Sequence, residues 1–185
     1  MIEDEFKKLG YTFFESTERP YNLNIVGFRN RHARPNHFDD ELSVYFVDRL
    51  IRRKVTWPVT TYPGLPWLLK PMNPKGAAIL VPGQYRSAYM LGRFRGVPAL
   101  RQIKPVKVYR DRDLDGTFTL NPDTIEEGLF GLHIHRAGIW SKVVGLSSAG
   151  CQVFQKQKDF SEFIELCQKA AANWGNKFTY TLMER

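Results

Sequence analysis

Leu42, Val44 and Phe46 alternate with Ser43, Tyr45 and Val47, the two-residue period of a strand with one face buried. An earlier run after Pro20, in which Leu23, Ile25 and Phe28 flank Asn24 and Val26, predicts a partner strand for it. Residues 29–39 between them are polar, contain Pro35 and Asn36, and read as a loop. A third strand is expected over 54–61, interrupted at Pro58. Further strands are expected at 77–81, 84–91, 104–109, 130–135 and 177–182, with turns at Pro82-Gly83 and 111–116.

Two helices stand against this background. Residues 2–9 form a short one, stopped by Gly10. The long one covers 159–173, where Phe160, Phe163, Ile164, Cys167, Ala171 and Trp174 share one apolar face and Gly175 ends the pattern. Asp159 with Glu162 three residues later has the spacing of a capping box. Residues 62–76 carry Pro63, Gly64, Pro66, Pro71, Pro74 and Gly76, which predicts an ordered loop without regular structure. Residues 143–150 read as a second loop, approaching Cys151. There is no internal repeat and no linker, so the 185 residues are read as one domain, mainly β.

Composition strengthens that reading modestly. Aromatic residues make up 14% of the chain, and large rings suit pleated, half-buried surfaces. The formal net charge of +8 favours polyanionic partners such as a cell-wall polymer. The basic residues are scattered among prolines and aromatics without a continuous stripe, so nucleic acid is not the expected partner. No apolar stretch approaches the roughly 18 residues that span a bilayer. No signal peptide is visible at the N-terminus. The chain is therefore expected to be made in the cytoplasm and to act on the cell wall or periplasm if released.

Two cysteines are too few for a disulfide scaffold, and their contexts differ. Cys167 sits on the apolar face of the long helix, where a thiol is a small hydrophobe. Cys151 ends the turn Ser148-Ala149-Gly150-Cys151, which has no apolar period. Nearby, Gly131-Leu132-His133-Ile134-His135-Arg136 places two imidazoles on one side of a strand. An imidazole beside a thiol is the usual means of activating it as a nucleophile. Gly150 permits close approach of a carbonyl, and turn N–H groups at Gly150 and Cys151 are candidate oxyanion donors. On these residues alone a catalytic and a structural thiol both remain open.

A resemblance bears on that choice. Ile134-His135, a spacer, and Ser148-Ala149-Gly150-Cys151 resemble the signature of the L,D-transpeptidase (YkuD-type) catalytic domain, with His135 and Cys151 sixteen positions apart. Pro58-Val59-Thr60-Thr61 and Pro82-Gly83-Gln84-Tyr85 are similar to that domain's earlier strand and turn. The likeness covers about 55–154 loosely and the last twenty of those residues specifically; the wording around His133 and Cys151 resembles a branch associated with phage and gut bacteria. The chain departs from the family at Ala149 (a His there), Arg136 (a Gly) and Val153 (an Arg or Asn). These departures bear on whether transpeptidation, hydrolysis or neither results.

The resemblance implies a single-domain β-sandwich or barrel, with a core about 20–155, helix 159–173 packed on it and a final strand. It implies cysteine-dependent acyl transfer on peptidoglycan stem peptides: Cys151 as nucleophile, His135 as base, His133 as orienting neighbour, Gly150 at the oxyanion turn. Arg136, Gln152, Ser148 and Trp67 are the expected substrate contacts, with Trp67 on a loop that covers the site. No metal or cofactor is expected. The rival reading is a non-catalytic wall- or nucleic-acid-binding module with the same fold. Two further alternatives are a His133–His135–Cys151 metal site and a calcium loop at Asp111-Arg112-Asp113-Leu114-Asp115-Gly116, which lacks the acidic twelfth residue because Pro122 stands there.

Overall fold

The structure, a computed structural model, describes residues 1–16 and 18–185. It is mainly β: eight strands close a barrel, three more form a small sheet, and one long helix near the C-terminus packs on the barrel. The strands are β1 (Asn24–Arg29), β2 (Asp40–Asp48), β3 (Ile51–Thr60), β4 (Ala77–Leu80), β5 (Gly83–Phe94) and β6 (Val97–Gln102). They continue with β7 (Val106–Asp111), β8 (Glu126–Gly128), β9 (Ile134–Arg136), β10 (Gln152–Phe154) and β11 (Phe178–Glu184). The helices are α1 (Ile2–Lys8), α2 (Leu65–Leu69) and α3 (Gln157–Trp174). Around the barrel the order is β1-β11-β5-β6-β9-β10-β3-β2, and the small sheet runs β4-β7-β8.

The expected pairing of the first two strands forms, with Ile25 opposite Val44 and Gly27 opposite Leu42. Closure depends on contacts no local pattern announces. β1 lies parallel to the last strand, Ile25 opposite Tyr180, and every residue of β1 is buried. Gly27 permits this, since any side chain there would collide with the Tyr180 hydroxyl. Arg29, fully buried, then fastens the barrel to the small sheet. Its Nε and Nη2 donate to Thr61 Oγ1 and O, both at 2.9 Å, and Nη1 donates to Leu80 O at 2.7 Å.

α3 lays Phe160, Phe163, Ile164 and Cys167 against the barrel, where Phe163 meets Trp57 and Phe154 at ring-centroid distances of 6.1 and 5.1 Å. Burying a side chain of that size contributes about 2–3 kcal/mol. The helix starts two residues before the expected position, and no capping box forms at Asp159. Glu162 instead accepts a hydrogen bond from Trp57 Nε1 at 3.1 Å, a tertiary donor more than a hundred positions earlier in the chain that the local motif does not announce.

Three further expectations are corrected. β3 runs through Pro58 unbroken, since its second neighbour, β10, pairs only with Val59 and Thr60 and the missing N–H disturbs no bond on that edge. Residues 62–76 contain α2, with Pro66 in its first turn where a proline is tolerated. The 130–135 run is strand only from Ile134, and β6, hidden by Gly96 and Pro98, completes a hairpin with β5.

Candidate functional site

Parallel pairing of β9 with β10 brings the histidine and cysteine segments together. Gln152 stands opposite Ile134 and Val153 opposite His135, and the Gln152 N–H donates to His133 O at 3.0 Å. Cys151, one residue earlier, therefore lies at the mouth of β10 beside His133. Cys151, His133, His135, Arg136 and Trp67 all line one cleft of about 430 Å³, together with Phe94, Arg95, Met72, Phe130 and Ala149.

The turn before Cys151 is held from inside. Ser148 Oγ donates to Cys151 O at 2.8 Å and accepts from Gly150 N–H at 3.2 Å. Gly150 has φ +124°, and a Cβ there would collide with Ala78 O on β4. Three expectations change as a result. Ser148 is fully buried and braces the turn, so it is not a substrate contact. The Gly150 N–H is already satisfied by Ser148 and is not free for an oxyanion. Gln152 is fully buried, accepting from Tyr180 Oη at 2.9 Å and donating to Gly150 O at 3.2 Å, so it turns into the barrel and away from the cleft.

The two imidazoles hold their protons at opposite positions. His133 Nδ1 accepts the Gln102 backbone N–H at 3.1 Å. Burial, with the neighbouring His135 and Arg101 charges, lowers its pKa to about 4, so at neutral pH it is uncharged and its proton sits on Nε2. His135 Nδ1 lies 2.9 Å from Arg136 O, which can only accept, so Nδ1 carries the proton. Its Nε2 is buried and has no hydrogen-bond partner among the described residues. His135 is likewise held below the usual histidine range, chiefly by burial. Of the two rings, His135 alone offers an unoccupied lone pair, and His133 offers a donor.

Cys151 is 8% exposed, and burial pushes its thiol up to about 11, opposed weakly by the His133 backbone N–H and the Arg95 charge. The thiol donates to Gly131 O at 3.5 Å. The resting pair is therefore neutral, a thiol and an imidazole. Cys167 is fully buried on α3 and its pKa is raised well above the ordinary thiol value.

Two residues enter that spacing did not single out. The Phe94 ring contacts both imidazoles, at 4.9 Å from His133 and 5.1 Å from His135. Arg95, at φ +49° in the β5–β6 turn, places a cation in the cleft. Both end a run rich in aromatic and basic residues, Tyr85 to Arg95, of which only these last two reach the site. No group of three or more His, Cys, Asp or Glu side chains among the described residues is arranged to hold a metal ion. At the Asp-rich turn, Asp111 and Asp115 accept loop N–H groups from Asp113, Thr119 and Thr117, the pattern of tight turns. No helix among the described residues is long and apolar enough to cross a membrane.

The fold and site thus define a mainly β protein with a buried cysteine and a histidine of unpartnered Nε2 in one basic cleft. Comparison of the chain with known protein families, with curated proteins and with solved structures finds no match.

Proposed function

We propose that the protein is a cysteine-dependent acyl-transfer enzyme of the L,D-transpeptidase type, acting on stem peptides of peptidoglycan as a transpeptidase or a peptide hydrolase. The observation that carries this reading is the unpartnered Nε2 of His135 in the same cleft as the Cys151 thiol. A buried lone pair left without a donor costs stability, and such groups concentrate where a proton must be taken up. The signature around His135 and Cys151 supports the same conclusion.

In this mechanism a substrate carbonyl enters the cleft and the thiol leaves Gly131 O. Sγ adds to the carbonyl carbon while its proton passes to His135 Nε2; no thiolate accumulates beforehand, because burial disfavours it. His133, neutral with Nε2–H as donor, takes the oxyanion role that Gly150 cannot fill. Collapse returns the proton from His135 to the leaving amine and yields a thioester. An acceptor amine or water then attacks, with His135 again as base. Arg95 and Arg136 give the cleft a positive field suited to carboxylate-bearing wall peptides.

The burial of the protonated thiol favours a second reading, a wall-binding module that keeps the fold without turnover. Incubation with purified peptidoglycan, followed by mass spectrometry of released muropeptides, separates the two. New cross-links or shortened stem peptides, lost in Cys151→Ser, support the enzyme. Unchanged muropeptides with protein that sediments with the wall support the module.

A further inference from the structure

A second cleft, of about 340 Å³, adjoins the first and shares Trp67, Met72, Phe130, Leu132 and Ala149 with it. Its own contribution is a floor of small residues, Gly76, Ala77 and Ala78, and one cation, Arg110. Arg110 stands opposite Ala78 across β4 and β7, and Ala78 O is the atom against which Gly150 packs. The guanidinium is thus one strand away from the turn that presents Cys151.

Arg110 is built into place with donor capacity left over. Its side chain is 6% exposed. Nε donates to Glu126 at 3.0 Å, Nη1 donates to Gly76 O at 3.3 Å, and the planar group lies over the Phe130 ring at 4.8 Å. Nη2 has no protein acceptor among the described residues and is not sealed from solvent. Glu126, its single carboxylate partner, is shared with Lys75 at 2.6 Å, so two cations face one anion. Neither cleft is lined by any Asp or Glu. A nearly buried cation with surplus charge and a free N–H, beside alanine-sized walls, fits a carboxylate carried by a small residue.

We infer that the second cleft binds the carboxylate of a small amino acid or peptide end, with Arg110 as its anchor. The small walls at Gly76 and Ala78 leave room beside the guanidinium for the residue that carries the carboxylate. That a ligand held here then meets the Cys151 acyl group rests on the acyl-transfer reading; the carboxylate binding itself does not.

The test compares two probes that differ only in the carboxylate, N-acetyl-D-alanine and N-acetyl-D-alaninamide, titrated into the full protein and followed by amide and arginine side-chain NMR. The acid is expected to shift Ala78, Phe130 and the Arg110 Nε–H saturably, and to bind at least ~10-fold more tightly than the amide, as a charge-assisted bond implies. Arg110→Gln is expected to abolish that difference, and Arg110→Lys to keep part of it. Equal affinity of acid and amide, or shifts confined to Arg95 and Arg136, overturns the inference. If Arg110→Gln does not fold, the acid–amide comparison on the unaltered protein decides alone. Muropeptide turnover without a carboxylate preference sinks the inference and leaves the enzyme standing. Carboxylate binding at Arg110 without turnover does the reverse.

Discussion

His135 donates its Nδ1 proton to the carbonyl of Arg136, the next residue along β9, at 2.9 Å. That bond fixes the tautomer, so Nε2 faces its surroundings as a bare lone pair, while His133 two residues earlier is locked in the opposite state by Gln102. Two imidazoles of similar sequence context are thereby assigned different chemistry.

Replacement of each ring tests that assignment. His135→Ala is expected to lower kcat/KM by roughly 10²–10⁴-fold, the usual worth of a general base. His133→Asn, whose Oδ1 can still accept from Gln102, removes only a neutral donor and is expected to cost roughly 10-fold to 10³-fold, mostly in kcat. A larger loss from His133→Asn than from His135→Ala moves the base by two residues.

Thiol chemistry follows from burial. Because the Cys151 pKa is raised to about 11, alkylation by iodoacetamide is expected to be slow at neutral pH and still climbing above pH 9, where an ordinary thiol levels off. Cys167, fully buried on α3, is expected to stay unlabelled until the protein unfolds. Peptide mapping of the labelled protein checks both points, and equal native labelling of the two cysteines contradicts the assignment.

Trp67 lines both clefts and donates Nε1–H to Leu146 O at 3.3 Å, which ties the proline-rich segment to the loop before Cys151. Gly64 N–H to Ser148 O at 2.8 Å is a second tie. Trp67→Ala is expected to leave unfolding cooperative, to cost about 1–2 kcal/mol of stability, and to shift product from cross-linked to hydrolysed peptide as water gains access. Calorimetry and muropeptide ratios measure these. An unchanged product ratio removes the covering role and leaves Trp67 as a packing residue.

Acid stability carries the imprint of the buried rings. The folded-state pKa of His133, about 4, lies below its unfolded value near 6.5, so the unfolded chain takes up a proton first as pH falls. The associated stability is present in full above about 6.5 and is lost as pH falls towards about 4; His135 acts in the same direction. His133→Asn is expected to flatten part of that acid limb in a series of Tm values from pH 8 to 4. An identical fall in the variant assigns the loss to other groups.

Much of this architecture was legible in the chain. Alternation announced β2, and helical spacing announced the face of α3 carrying Phe160, Phe163 and Cys167. The contrast between a helix-face Cys167 and a Gly-flanked Cys151 was visible in neighbouring residues, as was the shared side of His133 and His135. These features depend on residues within a turn or two of each other, and side-chain period encodes them directly.

What the folded chain alone decided involves partners far apart in sequence. Ser148, Gly150 and Gln152 look like site residues in the linear motif, yet Tyr180 and the β4 backbone claim Gln152 and Gly150 for the interior. Gln102, thirty-one positions before His133, determines where that ring keeps its proton. Arg110, inconspicuous in sequence, reaches the cleft because β7 pairs with β4 and β4 packs on Gly150. Hydrophobic period specifies which face is buried but carries no information about which donor meets which acceptor there. Barrel closure supplies those pairings, and with them the protonation state of each group in the site.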